Sequence, residues 1–185
     1  MMYLSNFFYR VITKYHLIVA IALSCAFYAV VYSYNMEGQH ITGKPMQVLD
    51  TQMWYGMDKV NEIIGGYPPL VKQKVVFFAR VYDTLFPVIY VTIFISAITL
   101  LSGGMFNEHN KWRLLNLVPI AAGVLDLLEN ASIVTLIQYH PDITQAMVQK
   151  AAIFTLLKWC FIILCLFIIA GLGFMQYYRK KKTHI

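Results

Sequence analysis

The chain has 185 residues, of which 59% are hydrophobic and only 13% charged, with a formal net charge of +6. An ordinary soluble domain carries about 25% charged residues, so that class is excluded, and a mean hydropathy of +0.59 agrees. The basic excess sits at chain ends and in loops, where it suits membrane headgroups better than nucleic acid.

Four apolar stretches approach the roughly 20 residues needed to cross a bilayer, at about residues 15–34, 81–101, 114–137 and 152–174. The first is too long for a signal-peptide core and ends in Tyr28, Tyr32 and Tyr34. It therefore reads as a retained helix, not a cleaved leader. Residues 36–80 form the one long extramembrane loop. Within it, Asp50 and Thr51 are expected to cap a short amphipathic helix that ends at Gly65 and Gly66. Trp54, Met57, Val60 and Ile64 would share one face, lying on the membrane or covering the mouth of a bundle.

Pro68 and Pro69 restart the chain, and only Pro87 interrupts the helical pattern from there to Gly103. The second span is thus expected to project beyond the bilayer at its start. Short links at 103–111 and 140–142 make neighbouring helices antiparallel. No repeat, low-complexity tract or strand pattern is visible. The expected fold is all-α: one four-helix transmembrane bundle over residues 1–185, with a short helix in its first loop.

With both termini on one side, that side holds Arg10, Lys14, Lys111, Arg113 and the run Arg179 to Lys182. The other holds Lys44, Lys59, Lys72, Lys74, Arg80 and Lys150, mostly in the long loop. Basic residues beside short cytoplasmic segments set orientation, which places both termini in the cytoplasm. Tyr177 and Tyr178 before the terminal basic run form an aromatic belt beside an anchor for anionic headgroups.

Ionisable groups inside apolar spans carry the functional signal. Each costs roughly 2.5–3.5 kcal/mol at bilayer depth on insertion scales, and the cost must be recovered by pairing, water or a ligand. Arg80, Asp83, Pro87, Tyr90 and Phe94 share a face of the second span. Pro87 has no N–H, so the carbonyl of Asp83 is left free. On the third span, Asn116, Pro119, Gly123, Asp126 and Asn130 fall on one side with Glu129 at its edge. Thr155, Lys158, Ile162 and Cys165 form the matching stripe of the fourth, while the first offers only Ser24, Tyr28 and Tyr32. Depths estimated from a rise of about 1.5 Å per residue converge on one polar pocket below the loop. Asp126 and Glu129 are assigned as catalytic carboxylates: two close acids in a dry site do not both ionise cheaply, which gives an acid beside a base. Asp83, Tyr90, Asn130 and Lys158 are assigned to substrate binding. Lys158 has a competing reading as a snorkelling side chain, and Asp83 as an interfacial partner of Arg80.

Cys25, Cys160 and Cys165 form no C-x-x-C pair and read as packing residues. His16, His40, His109, His140 and His184 are scattered, H-E-x-x-H is absent, and no metal or cofactor is expected.

The segments "MDKVNEIIGGYPPLVKQKVVFFARVYDTLFPVIY", "VPIAAGVLDLLENASI" and "TLLKW" carry a pattern D-x-x-F-P-x-x-Y, then P-x6-D-x-x-E-N, then a lysine. This resembles a family of uncharacterised bacterial four-helix integral membrane proteins. The resemblance covers most of the chain beyond the first span and implies a bacterial inner-membrane location without an established activity. More loosely, the architecture is similar to EXPERA-domain proteins, which include sterol isomerases and sterol-binding receptors. Their signature residues do not align here, so no catalytic role is carried over.

Three functions compete. The first is an intramembrane pocket for a lipid-like or amphiphilic small molecule, with acid–base catalysis as an extension. The second is transport of protons, cations or small solutes. The third is an accessory or assembly subunit whose polar network only fixes packing. The expected partners are membrane lipids and a hydrophobic or amphiphilic small molecule, with no nucleic acid; homo-oligomerisation stays open.

Overall fold

The computed structural model describes residues 1–183. It is all-helical, with α1 at Met2–Val11, α2 at Lys14–Thr42, α3 at Met57–Gly65, α4 at Pro69–Ser102, α5 at Val118–Tyr139 and α6 at Gln145–Thr183. Short 3-10 turns lie at Leu49–Thr51 and Lys111–Leu117. Four helical segments are long and apolar enough to cross a membrane: Lys14–Thr42, Pro69–Ser102, Lys111–Tyr139 and Gln145–Lys182. Their outward surfaces are rich in exposed Val, Leu, Ile and Phe, among them Leu85, Val88, Val124, Leu128, Leu166 and Phe167. So much bare apolar surface is sustained in lipid, not in water.

The helices α4, α5 and α6 pack on one another, while α2 lies chiefly along α4. The third span is the best buried, with half of its most apolar window covered, against 6% for α2. The α2 seam follows Ala20, Ser24, Phe27, Val31, Tyr34 and Gly38, which are buried or partly buried. Steps of four and three between them match a helix lying nearly parallel to its neighbour. Of the expected stripe, Ser24 lies in this seam, while Tyr28 and Tyr32 are largely exposed and lie beside it. A helix apolar on every side gives no pattern from which to read its contact face.

Several boundaries move. The first span continues to Thr42, where Gly43 takes a φ of 69° and ends it in the left-handed conformation that glycine tolerates best. The loop expected over 36–80 contracts to residues 43–68. Asp50 and Thr51 do not cap α3, since they form their own 3-10 turn and Gly56 is the N-cap. Burial of Leu49 and Tyr55 on either side draws this stretch down onto the bundle and outweighs local capping preference. Trp54 is exposed and outside the helix. Val60, Ile63 and Ile64 of α3 are buried with Val71, Val75, Leu136, Ile137 and Val148, so α3 covers the mouth of the bundle.

The opposite end is closed by α1, an element absent from the sequence reading. Ser5 Oγ donates to the Arg113 carbonyl at 2.8 Å, Asn116 Nδ2 donates to the Ser5 carbonyl at 3.3 Å, and the Arg113 guanidinium lies 3.7 Å from the Tyr9 ring centre. Arg179 Nη1 donates to the Gly104 carbonyl at this same end. The first helix and Arg179, near the end of α6, therefore lie at one end of the bundle.

Helices α4 and α5 approach closely at Gly123, where a Cβ would come within 2.8 Å of Val91 Cγ2. A valine methyl cannot swing away easily. Gly123→Ala is expected to cost about 1–3 kcal/mol by overpacking, read as a lower thermal midpoint in detergent. Adding Val91→Ala should recover most of that loss; no loss at all would show that the helices can separate freely here.

Candidate functional site

The polar stripes of three helices meet in the upper half of the bundle, under residues 43–68. Lys158 of α6 is 6% exposed and faces α5. Its ammonium forms an ion pair with Glu129 Oε2 and lies 3.8 Å from Asp126 Oδ1. The snorkelling reading of Lys158 gives way to the paired one. Glu129 is fully buried, and its Oε1 has no hydrogen-bond partner. One turn separates Asp126 from Glu129 on α5, so a single cation answers both. An ammonium among carboxylates is a far smaller desolvation problem than any of these ions alone.

Helix α4 joins through its proline. Pro87 leaves the Asp83 carbonyl without its helical donor, and Asn130 Nδ2 of α5 donates to that carbonyl at 3.0 Å. The amide of Asn130, assigned to substrate binding, is thus engaged in stitching α5 to α4. Asp83 itself is partly buried, while Arg80 is exposed and makes no ion pair with it. Tyr90 is 8% exposed, and its buried hydroxyl lies beside the Asp126 carboxyl.

Beside these groups runs a cleft of about 530 Å³ between α2 and α6, with α4 and α5 as its floor. Asp83, Tyr90, Asp126 and Lys158 line it, together with Phe27, Phe86, Phe94, Trp159 and Ile162. Ser24 and the exposed Tyr28 of α2 line its outer wall. Phe27 stacks on Phe86 with centroids 4.6 Å apart, so the aromatic wall bridges α2 and α4. Of the residues assigned to the site, Asp83, Tyr90, Asp126 and Lys158 reach the cleft; Glu129 lies behind Lys158. Asn130 lines a smaller chamber of about 150 Å³ nearer the loop.

Asp50 was missed as a site residue. It lines both cavities, and its Oδ1 is buried without a partner. The Trp159 indole donates to its carbonyl at 3.2 Å, and Tyr55 hydrogen-bonds Thr155 at 3.2 Å, so the loop is fastened to α6. Burial pushes the Asp50 carboxyl above the ordinary carboxylate range, against the pull of Lys158. Nothing local in the sequence sets Asp50 apart from a capping residue. Trp159, next to Lys158, was the available hint.

Among the described residues no group of three His, Cys, Asp or Glu side chains is arranged to hold a metal ion. His184 lies outside the described residues. Comparison of the chain with protein-family models, curated proteins and solved structures finds no match.

Because the ion pair of Glu129 is with Lys158, Lys158→Met should strand a buried carboxylate and cost about 3–5 kcal/mol. Combining it with Glu129→Gln should restore most of the stability, measured by chemical unfolding in detergent. A double variant no more stable than the single would show that the ion pair does not hold α5 to α6.

Proposed function

We propose that this is an integral membrane protein that binds a lipid-like or amphiphilic small molecule in the cleft between α2 and α6. The observation that carries the reading is the make-up of that cleft. Its walls are aromatic and aliphatic, and Asp83, Tyr90, Asp126 and Lys158 are set into one apolar trough of about 530 Å³. Ligand pockets combine apolar lining with a few placed polar groups in this way. In a bilayer the cleft would receive a molecule sideways from the lipid, with its tail along the aromatic wall and its head at the carboxylates.

A network serving packing alone is the less favoured reading. It accounts for Lys158 and Glu129 but not for Asp50, whose buried Oδ1 has no partner and whose side chain lines open volume. Buried polar groups are costly unless something satisfies them. If the protein also performs acid–base chemistry, Asp126 and Lys158 would be the groups that touch the substrate, and Glu129 would act by holding Lys158.

The orientation with both termini in the cytoplasm follows from the basic residues that gather at their shared end. It places residues 43–68 on the far side of a bacterial inner membrane. The resemblance to a family of bacterial four-helix membrane proteins fits this location.

Purified protein is expected to retain a bound amphiphile detectable by native mass spectrometry. Ser24→Trp, which fills the wall of the cleft, should lower retention by about tenfold, or ~1.4 kcal/mol. A wild-type protein without any bound or bindable amphiphile would end this reading. For the topology, a single cysteine introduced as Asn61→Cys in a cysteine-free background should react with an impermeant maleimide added outside intact cells. Protection there, with labelling only after lysis, would reverse the orientation.

A further inference from the structure

Charge does not balance along the hollow. Asp50, Asp83 and Asp126 line the cleft, while Lys158 is the one basic side chain on its wall and is already paired with Glu129. The smaller chamber adds no basic residue. The two cavities share Val31, Asp50, Thr51, Phe78 and Asp83, so they join where two carboxylates stand without an ion pair among the described residues.

A second, independent observation points to something that donates hydrogen bonds. Two oxygens along the hollow are buried without partners: Asp50 Oδ1 and the Tyr34 hydroxyl in the chamber. The junction also has aromatic faces, with the Tyr34 and Phe78 ring centres 4.4 Å apart. Carboxylates, orphan acceptors and aromatic faces suit an ammonium, which has three donors, no acceptor and an attraction to ring faces. They do not suit a phosphate or carboxylate, which would meet only like charge beside Lys158. The described acids are too dispersed to hold a metal ion, so an organic cation is the better fit.

We propose that the polar end of the bound molecule is an alkylammonium group, seated between Asp50 and Asp83 where the two cavities join, with its apolar chain in the α2–α6 cleft. This rests on the amphiphile-binding reading and narrows it to one head-group chemistry. It also makes the extramembrane turn at Leu49–Thr51 part of the binding site, with Asp50 contributed from outside the spans.

The test compares dodecylamine, dodecanol and dodecanoate as ligands for the full-length protein in phosphocholine nanodiscs at neutral pH, with binding read by native mass spectrometry. Dodecylamine should bind at least about tenfold more tightly than dodecanol, since a charge-assisted hydrogen bond is stronger than a neutral one. Asp50→Asn and Asp83→Asn should each shrink that preference. Thr51→Lys, at an exposed position on both cavities, offers a second variant that should fold normally. It supplies a cation within the chain and should abolish the preference. Equal binding of amine and alcohol, a preference for dodecanoate, or a preference that survives Thr51→Lys would overturn the ammonium assignment while leaving amphiphile binding intact. Failure of all three probes to bind the wild type would overturn both.

Discussion

A lysine ammonium held inside an apolar helical bundle has to be answered, and the answer organises this molecule. Lys158 meets Glu129 and stands 3.8 Å from Asp126, which fixes the rotation of α6 and α5 about their axes. Any large turn of either helix would bury one of these ions alone, at several kcal/mol. Once α5 is set, Asn130 on its neighbouring turn is placed to donate to the carbonyl that Pro87 leaves open on α4. Gly123, further down α5, lets the two backbones close up against Val91. One electrostatic requirement and one missing amide hydrogen thus position the three central helices.

The two ends are closed by different physics. At the loop end, residues 43–68 fold down as a plug, and Leu49, Tyr55, Val60, Ile63 and Ile64 build a hydrophobic core of the kind found in soluble domains. At the terminal end the seal is polar, made from Ser5, Tyr9, Ser102, Arg113 and Asn116. The plug has the closer bearing on the polar cluster, because Tyr55 and Trp159 tie it to the helix that carries Lys158. The segment outside the spans and the charged centre within the bundle are mechanically one unit.

Much of this was legible because apolar helices make polar residues conspicuous. The four spans follow from length and hydropathy, and the stripes on α4, α5 and α6 from helical spacing. The consequence of Pro87 for the Asp83 carbonyl follows from the chemistry of an imino acid. What could not be read depends on tertiary contact. Asp50 looks like any capping residue until the loop is folded onto Trp159. The packing face of α2 runs through Phe27 and Tyr34, beside the stripe of Tyr28 and Tyr32, and a helix greasy on all sides does not declare its inner side. The short α1 is marginal alone and acquires its place by docking against Arg113 and Asn116. Glu129 was grouped with Asp126 from their spacing, but only folding reveals that Lys158 stands between it and the open volume.

The unequal anchoring of the walls has a further consequence. Asp83, Asp126 and Lys158 belong to helices joined by an ion pair, a carbonyl stitch and a glycine contact, whereas α2 packs chiefly on α4 alone, through its aromatic seam and a Glu37–Lys74 ion pair. One side of the trough is thereby a template held from several directions and the other a wall held from one. A guest would be judged strictly by what it presents to the template, and leniently by its girth and length.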